Sequence, residues 1–367
     1  MKVGIIGLPQ TGKTSLYNAL TRSNVNLGQF DPKQIHVGVV AVPDPRFDYA
    51  VEKCRPKKAT PATIEFTEGG PRIESGGPAG RATKFGTDFF AHVRLMDALV
   101  LVVRAFEDER VPPPEHGLNP LREAQQVQEE LIFADLMVIE GRLERLEKAR
   151  QQKRQNPAEA VEYEVLQRLK AHLETMQPVR TFPLTPEEER ALRSYAFVSG
   201  KPLLLVANIS ENQVGQEKPE SLAPLAQFAA EQHLPLIPLC ARAEMEVAQM
   251  APQEEQEFLQ ALGIAEPARN RLIRAAYEAL GLISFFTVGE DEVRAWTIPQ
   301  GTNAVGAAEK IHSDLARGFI RAEVIAFDDF RSAGGCWEEA KAAGKMRLEG
   351  KEYIVKDGDI VHIRFKV

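Results

Sequence analysis

The chain has 367 residues, 44% of them hydrophobic and 26% charged, which exceeds one ordinary domain and suits two or three domains with separate cores. A formal net charge of -7 argues against nonspecific coating of DNA, because that mode needs a dense cationic surface against the phosphates. A local basic patch is still allowed.

At the N-terminus the apolar run MKVGIIGLP is too short for a signal peptide, and no stretch of roughly 18 apolar residues follows it. A cytoplasmic protein with no membrane partner is the expectation. Val3 to Ile6 reads as a strand ending at Gly7, and after a turn containing glycine and proline the pattern becomes helical from Lys13 to about Thr21. Further runs with strand character are Val37 to Val42, Thr63 to Phe66, Ala98 to Val103, Leu203 to Ala207 and Leu234 to Leu239. Their separation by helical or loop segments predicts an α/β fold with a mainly parallel sheet, covering residues 1–120 and 196–280.

Between these two parts, residues 121–195 have almost no glycine and are rich in Glu, Gln, Arg and Leu. Leu136, Ile139, Leu143 and Leu146 share a helical spacing that recurs at Leu166, Leu169, Leu173 and Met176, with the break RQNPAEA (Arg154 to Ala160) between. The pattern reads as an inserted antiparallel helical hairpin, or equally as two surface helices packed on the sheet. Residues 281–367 change again to short strands and turns and predict a compact α+β module. Its last stretch alternates around Asp357-Gly358, from Ile354-Val355 to Ile360–Phe365, which is a hairpin signature. The three cysteines, Cys54, Cys240 and Cys336, show no CxxC spacing, which disfavours a disulfide framework or a zinc site and fits a reducing compartment.

GLPQTGKT, Gly7 to Thr14, satisfies GxxxxGK[ST] at every defined position, after a strand and before a helix as that motif requires. Gly7, Leu8, Pro9, Gln10, Thr11, Gly12, Lys13, Thr14 and Ser15 would form the phosphate loop, its glycines letting backbone amides curl around the phosphates. Lys13 would place a point charge on the phosphates, and the Thr14 hydroxyl would ligate magnesium. Asn208, Ile209, Ser210 and Glu211 follow a buried strand, where a GTPase of this architecture carries NKxD. The aspartate of that motif accepts from two guanine N–H groups; Glu211 is a carboxylate one methylene longer, which should weaken guanine reading. In PLCARAE (Pro238 to Glu244), Cys240 and Ala241 take the place of the usual SA pair.

With these motifs in order, the chain resembles the YchF/Obg-like ATPase family of translation-factor-class P-loop proteins, as a divergent member. The resemblance is carried by GLPQTGKTSLYNALT, HVGVVAVPDPR (His36 to Arg46), VVRAFED (Val102 to Asp108), the NISE loop, VRAWTIPQGT, GFIRAEVIAFDDF and AGKMRLEGKEYIVKDGDIVHIRF. It implies a G domain with a helical insertion and a C-terminal TGS (β-grasp-like) domain, binding of ATP in preference to GTP with Mg2+, and association with ribosomes. Glu68 would stand where the family's aspartate holds magnesium through water.

The chain departs from the family's pattern in three places. The switch threonine of the family falls on Pro32, and no Ser or Thr occurs from Asn24 to Ala59, although Asp31 offers an oxygen. In EFTEGGPR the glycine that would donate its amide to the γ-phosphate becomes Pro71, which has no amide hydrogen. The family's water-positioning histidine falls on Pro113; His116, three residues on, is a weak catalytic candidate beside Lys13 and Glu68, and a lone loop histidine is more often solvated surface. Slow hydrolysis, or binding without hydrolysis, are the two expectations these departures leave open. Lys341, Lys345, Arg347, Lys351 and Lys356 form a basic cluster that suits ribosomal RNA or simply a solvated face. Trp296 and Trp337 offer stacking surfaces for RNA, with packing the role that the surrounding pattern favours. A monomer is expected.

Overall fold

The computed structural model describes residues 1–25, 35–69, 85–114, 117–152, 156–216, 219–261 and 264–366. Two compact units make up the chain: Met1–Gly38 with Glu65–Arg271, and Val39–Ile64 with Leu272–Val367. In chain order the first elements are β1 (Lys2–Ile6), α1 (Lys13–Thr21), β2 (His36–Ala41), α2 (Pro45–Cys54), β3 (Lys58–Thr60) and β4 (Thr63–Glu68). They are followed by α3 (Thr87–Arg94), β5 (Ala98–Ala105), α4 (Pro120–Gln151), α5 (Pro157–Glu174), α6 (Pro186–Leu192), β6 (Leu203–Ile209), α7 (Ala223–Glu231), β7 (Leu236–Leu239), α8 (Ala241–Ala248), α9 (Pro252–Ala261) and α10 (Ala268–Ala279).

The sheet of the first unit runs β2-β4-β1-β5-β6-β7, and β1 pairs in parallel with both β4 and β5, as do β5 with β6 and β6 with β7. Every residue of β5 (ALVLVVRA) and of β6 (LLLVANI) is buried, as expected for central parallel strands covered on both faces. The carboxyl ends of β1, β5 and β6 therefore open onto one edge of the sheet, where ligands bind in open parallel α/β folds.

Asn119 starts α4 by accepting from the Arg122 amide at 3.0 Å, with Pro120 in the first turn. A capping box of Asn156 and Glu159 starts α5. The open choice between hairpin and surface helices resolves into both. Ala124, Val127 and Leu131 of α4 join the sheet core, while Ile132, Ile139 and Leu146 farther along pack with Leu166, Leu169 and Leu173 of α5. One helix of 32 residues thus begins on the sheet and ends in the helical insertion.

The second unit has a mixed sheet in the order β11-β10-β12-β8-β9-β3, made of β8 (Leu282–Thr287), β9 (Glu292–Pro299), β10 (Phe319–Ile325), β11 (Arg347–Glu349) and β12 (Ile360–Phe365) together with β3. Ala304, Ala307 and Ala308 of the helix Ala304–Ile311 pack into its core beside Phe285 and Val324. The hairpin expected around Asp357-Gly358 does not form. β12 pairs with β10 and β8, while Ile354 makes only an isolated bridge to Asn303. The turn is held instead by side chains: Asp357 accepts from the Ser284 amide at 2.9 Å, and buried Asp359 accepts from the Lys356 amide at 2.9 Å and the Tyr353 hydroxyl at 2.7 Å.

Asp135 of α4 is wholly buried and anchors the segment before β6, accepting from the Val198 amide (2.9 Å), the Ser199 amide (2.7 Å) and the Ser199 hydroxyl (2.7 Å). Burial pushes its carboxyl up to about 6, against those three hydrogen bonds, which favour the ionised form. A folded pKa above the unfolded value contributes stability that is full below about pH 4 and is lost as pH rises through about 6. Urea denaturation of the wild type should therefore show roughly 2–3 kcal/mol more loss between pH 4 and 7 than that of Asp135→Asn; parallel profiles would refute the assignment.

Candidate functional site

The phosphate-loop motif lies between β1 and α1, and its shape depends on two glycines. Gly7 has φ 149° and Gly12 has φ 94°, and a Cβ on Gly7 would stand 2.4 Å from the Val102 carbonyl oxygen. A Cβ on Gly12 would stand 2.2 Å from Asn208 Nδ2. Only glycine allows this backbone and these approaches. The Thr11 hydroxyl donates to the Leu8 carbonyl at 3.1 Å and so does the Lys13 ammonium, at 2.7 Å.

A cavity of about 1250 Å³ opens beside this loop. Gly12, Lys13, Thr14, Ser15 and Glu68 line one part of it, and Asn208, Ile209, Glu211 and Cys240 another. Pro9 and Gln10 also line it, whereas Gly7, Leu8, Thr11 and Ala241 are not among its lining residues. Lys13 is buried, which takes its ammonium down to about 8, while the carboxylates of Glu68 and Glu123 pull the other way. The Thr14 hydroxyl donates to Glu68 Oε1 at 3.0 Å. A hydroxyl and a carboxylate meeting at one point are hard oxygen donors of the kind Mg2+ takes together with phosphate oxygens and water. Among the described residues no group of three or more His, Cys, Asp or Glu could hold a metal without such help.

At the other part of the cavity Asn208, at the end of β6, is buried and bridges two loops. Its Nδ2 donates to the Thr11 carbonyl at 2.9 Å, and its Oδ1 accepts from the Ala241 amide at 2.9 Å. Glu211 is exposed and pairs with Arg242 of α8 (Nε to Oε1, 3.3 Å). Cys240, buried just before α8, has its thiol pushed up by burial.

From the segment after β5 the sequence reading weighed Pro113 and His116 but missed lining residues nearer the strand. Phe106, Asp108 and Arg110 line the cavity, and the buried Arg104 guanidinium pins this loop by donating to the carbonyls of Phe106 (3.2 Å) and Pro112 (2.7 Å). Position at the carboxyl end of a central strand was the available signal. Pro113 is exposed. Asp31, Pro32, Pro71 and His116 lie outside the described residues.

The basic cluster near the C-terminus is partly neutralised: Arg347 pairs with Glu349 and Asp359, and Lys345 with Asp329. Lys341, Lys351 and Lys356 are exposed. Trp296 packs near Phe285, donates to the Thr287 hydroxyl at 3.0 Å and carries Arg294 over its ring at 3.9 Å, a packing role. No described helix is long and apolar enough to cross a membrane.

A parallel sheet with the phosphate loop after its first strand, a helical insertion and a C-terminal TGS-like unit define a P-loop G-domain protein. Residues 282–366 match the family model described as "YchF-GTPase_C: Protein of unknown function (DUF933)". The chain is 39% identical over 373 residues to the "Ribosome-binding ATPase YchF" of Bacillus subtilis, with all of both chains covered. It is 35% identical to the "Obg-like ATPase 1" of Caenorhabditis elegans, covering 100% of this chain and 92% of that one. The solved structure of the Schizosaccharomyces pombe YchF GTPase superposes with a TM-score of 0.85 at 31% identity, over 99% of this chain and 97% of the other. The chain belongs to the YchF/Obg-like ATPase family.

Asn208→Ala removes the bridging carboxamide, leaving the Thr11 carbonyl and the Ala241 amide without these partners. The expected loss is about 1–3 kcal/mol, read as a lowered thermal midpoint; an unchanged midpoint would show that the two loops hold their places without it.

Proposed function

We propose that this protein binds ATP, or GTP, with magnesium and hydrolyses it slowly in association with the ribosome in the cytoplasm. The observation that carries the reading is a cavity lined by Lys13, Thr14 and Glu68 as well as by Asn208, Ile209 and Glu211. Its volume of about 1250 Å³ is ample for a nucleoside triphosphate. Backbone amides of the loop and the Lys13 ammonium would hold the phosphates. Thr14 and Glu68 would hold the magnesium ion, which when bound would neutralise phosphate charge. Phe106, Ile209 and Met245 offer apolar surface to a base. Ribosome association is extended to this chain from the B. subtilis relative's name, over a match that spans both chains, and the exposed Lys341, Lys351 and Lys356 would suit an RNA contact. We take the working form to be a monomer, with a G domain formed by 1–120 and 196–280 apart from Val39–Ile64, which group with the C-terminal unit, residues 121–195 as the helical insertion and 281–367 as the TGS domain.

The second reading, binding without turnover, is favoured by Pro71 and by the lack of any Ser or Thr from Asn24 to Ala59. Phosphoryl transfer is largely positioning and charge stabilisation, and loss of one well-placed donor costs roughly a hundredfold or more. Single-turnover hydrolysis of ATP and GTP with magnesium separates the readings. Slow turnover that Lys13→Ala abolishes, and that Pro71→Gly leaves within about threefold, is the expected result, since a loss on the scale of a missing donor would show otherwise. An inert wild type that gains activity in Pro71→Gly would establish the second reading instead, and failure to bind either nucleotide would remove both.

A further inference from the structure

Four charged residues at the cavity form two linked pairs. Arg110 is held by Asp108 through two bonds, Nε to Oδ1 at 2.9 Å and Nη2 to Oδ2 at 2.6 Å, so its guanidinium is already engaged. Arg242 is divided between two carboxylates, its Nε lying 3.3 Å from Glu211 Oε1 and 3.2 Å from Glu246 Oε1. Arg242 and Glu211 both line the cavity.

The two purines ask different things of a carboxylate at this position. An ionised carboxylate only accepts hydrogen bonds. Guanine presents two adjacent donors, N1–H and the 2-amino group, which a free carboxylate can satisfy together. Adenine presents an acceptor at N1 beside a single 6-amino donor, so a free carboxylate meets one donor and one lone pair. A guanidinium, with donors only, has no such conflict with adenine N1.

We propose that Arg242 is a specificity-determining residue, which by pairing with Glu211 withholds the carboxylate that the N–H edge of guanine requires and biases the cavity toward adenine nucleotides. The inference rests on the nucleotide-binding reading above and assigns the base selectivity within it. Glu246 acts as the counterweight, drawing Arg242 away from Glu211 along α8.

The test is competition of ATP and GTP, with magnesium, against a ribose-labelled fluorescent ADP on the full chain. Removing a competing exposed ion pair is expected to raise the affinity for GTP relative to ATP by about two- to fivefold in Arg242→Ala. The gain should vanish in Arg242→Ala/Glu211→Gln, because the freed carboxylate is its source. Glu246→Gln, which leaves Arg242 to Glu211 alone, should move the ratio the other way. Binding of both nucleotides with an unchanged ratio in Arg242→Ala, or a gain that persists in the double variant, overturns the inference and leaves the nucleotide reading standing. Binding of neither nucleotide to the wild type removes that reading and this inference with it.

Discussion

The Asn208 carboxamide is engaged at both ends inside the protein, donating to the Thr11 carbonyl and accepting from the Ala241 amide. Three stretches far apart in the chain meet at that one group: the phosphate loop after β1, the end of β6 and the start of α8. An amide side chain has two donors and two acceptor lone pairs, so one of each is used for the bridge and one of each is left over. Asn208 is therefore a bracket before it is a reader of any base. Gly12 completes the constraint, since a Cβ there would occupy the place of the amide nitrogen.

From this bracket the electrostatics of the cavity follow. Lys13 of the phosphate loop is buried, and burial lowers its ammonium to about 8 even with the carboxylates of Glu68 and Glu123 pulling the other way. At about 8 the ammonium is still mostly protonated at neutral pH, although it is buried. A charge with little solvent around it interacts strongly with an arriving anion. The backbone fixes the geometry at this part of the cavity, and neighbouring carboxylates fix the charge.

Much of this was legible in the sequence, for identifiable reasons. β5 and β6 are unbroken apolar runs because both faces are covered, and the phosphate loop declares itself because its glycines answer to backbone angles and close approaches. Phe106, Asp108 and Arg110 were not legible as lining residues, because Arg104 holds their loop through backbone carbonyls that carry no residue identity. Arg242 was hidden for another reason: its meaning comes from Glu211, many positions earlier in the chain. Around Asp357-Gly358 the pattern misled, since a dipeptide that favours a hairpin also suits a turn held by aspartate side chains. Residues 39–64 belong with the C-terminal unit, which rests on pairings such as β3 with β9 and Arg46 with Asp357 that no local pattern announces.

The two parts of the cavity differ in how firmly they are set. Around Lys13 and Asn208 the groups are buried and hydrogen-bonded, so ions in solution screen them little. Around Glu211 and Arg242 the side chains are about half exposed, at 56% and 49%, and pairs of that kind contribute little and are weakened by salt. Affinity located in the buried part and selectivity located in the exposed part would respond differently to ionic strength. On the proposed role of Arg242, changes at position 242 would alter the choice of base without disturbing the phosphate loop, because Asn208, not Glu211, carries the structural tie between them.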